Sequence, residues 1–396
     1  MSSVQDQYEA YPYPERDPAD EAKRLITGSP SDPREIDHHV FGGKRDWSKP
    51  LRALFAGGGT GDGLIQLAQI LTSVGRPYDI TYLDLSKASR AVAEERAKAR
   101  GLTGITFHTA SLMDAPNYGV FDYVDCCGVL HHLPDPAAGF AALRAAVAPD
   151  GGLGFMVYAP YGRSGVYPLQ DAFGAVLADV PVAKKVAKAR AILAKLPEGH
   201  PFKRNPHLVD HNQSDAGFYD LLLHSQDQAF DVAGLAAILS ETGWGAPSFC
   251  EAAAYDLSRF APVPKGMTVI DQMAAAEKLD GTMKVHVGYA RLQKAEPFKL
   301  DLNRIPHLRG VKPDALSRAV AQGRELPLTR AGQGYKLQLP KASAPLLAAV
   351  NGQRTLSEIA QRNRVDPIGF QAVWSQVEAT LTGWGLMLYS NLLKRS

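Results

Sequence analysis

Short apolar runs alternate with stretches of helical period between residues 51 and 158. LRALFA (51–56) is a compact apolar run that ends in glycines, which reads as a buried strand. GLIQLAQILTSVG follows with helical spacing. DITYLDL then predicts a second strand, and SKASRAVAEERAKARG a helix with Ser86 at its start and Gly101 at its end. ITFHTASL, FDYVDCCG and GGLGFMVYAP read as further strands, with a helix over DPAAGFAALRAAVAP. Strands alternating with helices through short links predict a parallel sheet covered on both faces. Ligands of such open sheets bind at the carboxyl ends of the strands.

The rhythm breaks on either side. Residues 1–50 are polar, interrupted by Pro12, Pro14, Pro18, Pro30, Pro33 and Pro50, and predict an extended arm with at most short helices. Tyr8, Tyr11, Tyr13, Phe41 and Trp47 give that arm aromatic surface to pack with. Residues 159–230 hold a Gly/Pro/Tyr loop, two helix-like stretches and a His-rich passage, an insert of the kind that works on substrate. Alternation resumes with a helix over VAGLAAILSETGW and strands over SFCEAAAY and TMKVHVGYARL, with a helical insert near 265–280 between the strands. From residue 296 the texture becomes a small α+β unit: weak strand GYKLQL, then helices, then a final strand or hairpin. Thr355 and Glu358 have capping-box spacing. The expected organisation is an arm (1–50), a main domain (51–295) whose insert (159–230) forms a lid, and a C-terminal unit (296–396).

Composition changes this picture little. The 396 residues carry 43 Lys+Arg against 41 Asp+Glu, a formal net charge of +2, which argues against a strongly basic nucleic-acid binder. Three cysteines cannot build a disulfide framework, so a reducing, cytoplasmic setting is expected. No apolar run reaches about 18 residues, so no membrane span is expected. The N-terminus lacks the basic start and apolar stretch of a secretory signal.

Ala56-Gly57-Gly58-Gly59-Thr60-Gly61-Asp62-Gly63 directly follows the first strand. Glycines there let the backbone turn sharply and approach a ligand, and the next helix offers free N–H groups to it. The loop fails the G-x-G-x-x-G dinucleotide pattern, since Asp62 stands where the last glycine is required. Asp84 closes the second strand, where a carboxylate accepts from ribose hydroxyls. Asp114 follows the third strand, with Leu112 and Met113 beside it, within reach of an adenine amino group. Cys126-Cys127-Gly128-Val129-Leu130-His131-His132 forms the exit of the fourth. No His or Cys spacing suits a metal, and none is expected.

In this order the features resemble class I S-adenosylmethionine (SAM)-dependent methyltransferases, over about residues 50–160 and more loosely over 230–292. The resemblance implies a Rossmann-like α/β sheet with helices on both faces, SAM as cofactor, and methyl transfer. It places Gly57, Gly58, Gly59, Thr60 and Gly61 along the methionine part, with Asp62 nearby. Asp84 and Leu85 fall at the ribose, Leu112, Met113 and Asp114 at the adenine, and Cys127 and Gly128 beneath the reactive end. One departure is Phe55, where the family often carries an acidic residue two before the first glycine. The blocks DHHVFGGKR, APYGRSGVYPLQ and GFYDLLLHSQDQAF look like a bacterial branch of these enzymes. The C-terminal stretch resembles small winged-helix units, some of which dock peptides.

For catalysis the candidates are His131, Tyr161 and His224, unranked. Arg163, Tyr167, Tyr219 and Asp220 are candidates for substrate contact, because Tyr and Arg can clamp a polar acceptor. The expected acceptor is a small molecule or a peptide or protein. A nucleic acid is not expected, since no Asn/Asp-Pro-Pro-aromatic tetrapeptide is present to hold a flipped base. No membrane partner is expected, and a homodimer is an open alternative. So is a non-catalytic SAM-binding regulator acting through the C-terminal unit.

Overall fold

The computed structural model describes residues 8–9, 11–295, 301–330 and 332–394. The arm's first seven residues and the expected boundary at 296 lie outside them. The central sheet has the strands β1 (Leu51–Ala56), β2 (Tyr78–Asp84), β3 (Ile105–Thr109), β4 (Phe121–Cys127), β5 (Val147–Tyr158), β6 (Ser248–Phe249) and β7 (Val285–Arg291). Their order is β3-β2-β1-β4-β5-β7-β6. The first five strands are parallel, while β7 runs antiparallel to β5 and β6 antiparallel to β7. The chain winds outward from β1 in one direction and then from β4 in the other, so the crevice of this sheet opens between their carboxyl ends.

Helices α1 (Pro33–Phe41), α2 (Asp62–Ser73) and α3 (Lys87–Ala99) cover one face. Ile36, Val40, Leu64, Leu67, Ala93 and Ala97 pack there against Phe55, Ile80 and Tyr82. Helices α4 (Pro136–Ala145), α5 (Val166–Val176), α6 (Val182–Leu193), α7 (Asp215–Leu222), α8 (Val232–Glu241) and α9 (Val269–Asp280) come next in the chain. Phe140, Leu143, Leu235, Leu239 and Ala274 of α4, α8 and α9 pack on the opposite face with Leu54, Val124 and Phe155. Burial on both sides is why β1 reads as a compact, mostly apolar run rather than an alternating one.

The insert of residues 159–230 has its own core, in which Leu169 and Phe173 of α5 and Val186 of α6 meet Phe202, Phe218 and Leu222. The arm holds the short helix α1, started by the Asp32 side chain accepting from the Arg34 N–H. One expected strand is shorter than its sequence implied. SFCEAAAY yields only Ser248–Phe249, and Ala252–Tyr255 forms a 3₁₀ turn. That turn brings Tyr255 back to stack on Phe249 at 3.9 Å, with its hydroxyl 2.9 Å from His286 Nδ1.

Beyond residue 301 the chain forms β8 (Pro306–Leu308), α10 (Pro313–Ala321), the hairpin β9 (Leu326–Arg330) and β10 (Gln333–Leu337), then α11 (Ala344–Ala348), α12 (Leu356–Arg362), α13 (Pro367–Gly383) and β11 (Met387–Tyr389). β11 pairs antiparallel with β8, closing the unit on its own first strand. Thr355 and Glu358 make the reciprocal bonds of a capping box. The unit is fastened to α1 by Asp37, whose buried carboxylate accepts from Trp47 Nε1, the Arg45 N–H, Ser390 Oγ and the Asn391 N–H at 2.8–3.0 Å. Arg309 adds an ion pair with the buried Glu35.

Candidate functional site

The glycine loop leaves β1 with Gly57, Gly59 and Gly61 at φ of +76°, +52° and +96°, a region that L side chains rarely adopt. Its turn is tied to β2: the N–H groups of Gly57 and Gly58 both donate to the Leu83 carbonyl, and Tyr82 Oη donates to the Gly59 carbonyl at 2.7 Å. A Cβ on Gly57 would stand 2.5 Å from Val129 Cγ2, so the exits of β1 and β4 close on each other. Asp84 accepts the Gly59 N–H and the Ser86 N–H, each at 2.8 Å. Burial pushes its carboxyl up despite those bonds. Leu85 and Met113 are each 42% exposed. Leu112 is buried in the 3₁₀ turn Leu112–Tyr118, and Asp114 is exposed in it. Cys127 is exposed at the end of β4, and the Gly128 N–H donates to the Met156 carbonyl.

The arm lies over this loop. Thr60 Oγ1 donates to the Pro14 carbonyl at 2.7 Å, and the Tyr13 carbonyl would stand 3.1 Å from a Cβ on Gly59. Asp62 is held in a fork by Arg16, at 2.6–3.2 Å, and by the buried Arg96 at 2.7 Å. It anchors the arm, and the guanidinium groups keep its carboxyl low against the upward push of burial.

A second set of polar side chains meets at the exits of β4 and β5. His131 and His132 come from the turn after β4, Tyr158 ends β5, Arg163 and Tyr167 begin the insert, and Asp220, His224 and Asp227 come from α7 and the loop behind it. The His131 ring sits 3.8 Å from that of Tyr158, and the Arg163 guanidinium lies 3.6 Å over the same Tyr158 ring. Arg163 also bonds Tyr167 Oη at 3.1 Å and Asp227 Oδ2 at 3.2 Å. Asp220 accepts from Tyr158 Oη at 2.8 Å and from Tyr8 Oη of the arm at 3.1 Å. Tyr219 stacks on Tyr11, a second arm contact.

His132 and His224 stack at 3.7 Å. Their tautomers follow from one residue. His132 Nδ1 faces the Gln226 carbonyl at 3.0 Å and must donate to it, so its Nε2 carries a lone pair. The Gln226 N–H donates to His224 Nδ1 at 3.1 Å, so the proton of a neutral His224 sits on Nε2. Burial lowers the pKa of His131 and His132 and brings that of His224 down to about 4, so all three are neutral near pH 7. Both nitrogens of His131, Nε2 of His132 and His224, and Oδ1 of Asp227 are buried without a hydrogen-bond partner among the described residues. Buried polar atoms are normally satisfied, so this concentration marks a place where something binds.

The fold thus gathers His131, His224, Arg163, Tyr167 and Asp220 in one cluster, while Tyr219 turns into the core of the insert and stacks on Tyr11. Tyr161 stands apart from it, with Lys278, Asp231 and Glu277 as its charged neighbours. Gly162 packs on the Met283 backbone, where a Cβ would stand 2.4 Å from it, so the turn sends Tyr161 and Arg163 to different surroundings. Sequence reasoning set His132 beside His131 at the exit of β4 and Tyr158 with Arg163 and Tyr167 at the exit of β5, and it passed over Tyr8 and Asp227 as members.

Residues 54–153 match the family model described as a methyltransferase domain. An uncharacterized protein of Synechococcus sp. is 34% identical over 198 residues, 48% of this chain and 46% of that protein; the chain spans just under half the length of this relative. The structure of PKMT2 from Rickettsia typhi in complex with AdoHcy superimposes with a TM-score of 0.61 at 13% identity, covering 91% of this chain and 75% of that one. A second structure of PKMT2 gives 0.59 at 14% identity, over 89% and 73%. Those likenesses establish the Rossmann-like fold. The matched segment carries the signature of a methyltransferase domain.

Proposed function

We propose that the chain transfers the methyl group of SAM to a small-molecule or peptide/protein acceptor whose nucleophile enters the His131–His132–His224 cluster. The observation supporting this most is the pairing of two sites across one crevice: the glycine loop with Asp84 on one side, the unpartnered imidazoles on the other. The residues at the strand ends suit the cofactor. Asp84 can accept ribose hydroxyls, Gly57–Gly61 leave room for the methionine part, and Leu112, Met113 and Asp114 frame the adenine. The cofactor supplies an activated methyl on a sulfonium.

What remains for the protein is placement. Nucleophile, carbon and sulfur must stand in line with the reacting atoms about 3–3.5 Å apart. Arg163, clamped by Tyr158, Tyr167 and Asp227, is a rigid hydrogen-bond donor for the acceptor. The arm, bonded to Asp62 and Asp220, keeps water from both ends. An amine or hydroxyl must also lose its proton before or during attack, and the carboxylates and neutral imidazoles of the cluster face it there.

The test is isothermal titration with SAM and S-adenosylhomocysteine (SAH), beside NADH and ATP, on the wild type and Asp84→Ala. Binding of the two adenosyl ligands, lost in the variant, supports the reading. Binding of NADH in their place removes it.

A further inference from the structure

We propose that His131, His132 and Asp227 form a binding site for one divalent transition-metal ion of the zinc type. Ligand-capable atoms of these three residues lie within 4.8 Å of one another. Independently, both ring nitrogens of His131, Nε2 of His132 and Oδ1 of Asp227 are buried and have no hydrogen-bond partner among the described residues. Two imidazoles and one carboxylate with the remaining positions open are a donor set that suits Zn²⁺, Co²⁺ or Fe²⁺ rather than Mg²⁺ or Ca²⁺.

Two of the three ligands, His132 and Asp227, have the surroundings that such ligands need. A metal-bound imidazole normally donates its other N–H to a carbonyl or carboxylate, which fixes its tautomer. His132 does this, Nδ1 to the Gln226 carbonyl at 3.0 Å, and Nε2 keeps its lone pair. Ligating carboxylates are themselves hydrogen-bonded. Asp227 Oδ2 accepts from Gln170 Nε2 at 2.9 Å and Arg163 Nη2 at 3.2 Å, which leaves Oδ1. Among the described residues Arg163 is the one cation bonded to this set, and its pairing with Asp227 offsets its charge.

A second trio, His132, Asp220 and His224, meets the same distance criterion. The hydrogen bonds disfavour it. The Gln226 N–H occupies His224 Nδ1, so Nε2 carries the proton and has no lone pair to give. Asp220 already accepts from two tyrosine hydroxyls. His224 Nε2–H instead points a donor toward whatever the ion holds. Bound there, the ion would draw charge from an acceptor hydroxyl or amine and ease loss of its proton. That role rests on the methyl-transfer reading; the site itself does not.

The experiment uses the full chain without a histidine tag, stripped with chelator and titrated with Zn²⁺ against a chromophoric competitor. Co²⁺ substitution reports geometry through its visible absorption. The expected result is one ion per chain, with affinity reduced at least about tenfold in His132→Ala and in the near-isosteric Asp227→Asn. His224→Gln should retain wild-type affinity. Absence of stoichiometric binding in the wild type overturns the proposal. So does loss of binding in His224→Gln with retention in Asp227→Asn, which would move the ion to the other trio. SAH titration of the same samples reports the cofactor site separately, so a failed metal site and a failed methyltransferase reading give different results.

Discussion

Gly58 tests the glycine loop most directly, because its constraint is purely one of space. It is not among the glycines at positive φ, so alanine there carries no backbone penalty. Its Cβ would stand 2.4 Å from both Cδ2 and Cε2 of Tyr82, where carbon atoms prefer about 3.5–4.0 Å. Ring or loop must therefore move by about 1 Å or more. The ring has nowhere to go, being wholly buried in β2. If the loop moves, the 2.7 Å bond from Tyr82 Oη to the Gly59 carbonyl is lost. Overpacking costs typically 1–3 kcal/mol and a hydrogen bond about 1, so the loop in its binding geometry loses roughly 2–4 kcal/mol. If all of that is felt at the cofactor site, the SAH dissociation constant rises roughly 30- to 1000-fold. The assay is titration of Gly58→Ala with SAH, beside Gly174→Ala in α5, where a Cβ meets nothing within 4 Å and binding should not change. A double-mutant cycle with Tyr82→Val should show Gly58→Ala to be nearly harmless once the ring is gone. Wild-type SAH affinity in Gly58→Ala, or no coupling to position 82, would refute the reasoning.

Three further outcomes follow from individual contacts. Burial lifts the carboxyl of Asp125, bonded to Ser31 Oγ and Tyr123 Oη, to about 6. Its folded pKa thus lies above the unfolded one near 3.9, and the burden it places on stability is absent below about pH 4 and complete above about pH 6. Asp125→Asn should therefore be more stable than the wild type at pH 7 by about 3 kcal/mol at most, with the difference vanishing near pH 4 in paired urea unfoldings. Arg16→Met removes the fork on Asp62, and amide exchange of residues 11–17 should quicken about tenfold, for a loss near 1.4 kcal/mol. Unchanged exchange would show that the arm is held elsewhere. Asp37→Ala leaves four donors unpaired in a buried site and should lower the unfolding free energy by roughly 3–5 kcal/mol, read from denaturant midpoints.

What the sequence disclosed depended on how local the signal was. β1 and the later half of β5 are buried on both faces and show as apolar runs, and the Thr355–Glu358 capping box is visible because both partners lie within one turn. Gly57–Gly61 and Asp84 stand out because a strand-end turn and a strand-end carboxylate are each set by neighbouring residues. The antiparallel β7 is placed by its pairing with β5, more than a hundred residues earlier in the chain, which no local pattern reports. The histidine cluster is similar. Linear spacing shows no metal motif, yet α7 and its following loop return His224 and Asp227 to the exit of β4. Asp62 reads as a pocket carboxylate until Arg16, 46 residues away, is seen to claim it.

The arm makes the two ends of the crevice depend on each other. It bonds the glycine loop through Pro14 and Arg16, the start of α3 through Glu9, whose carboxylate accepts the Lys87 N–H at 2.6 Å, and the insert through Tyr8 on Asp220 and Tyr11 on Tyr219. Asp220 in turn holds Tyr158, against which His131 and Arg163 are packed. One continuous set of contacts therefore runs from the glycine loop to the cluster, so displacing the arm at one end loosens bonds shared with the other. A ligand that holds the arm closed over one end spares the second ligand part of that ordering cost, which is the physical content of positive coupling between cofactor and acceptor.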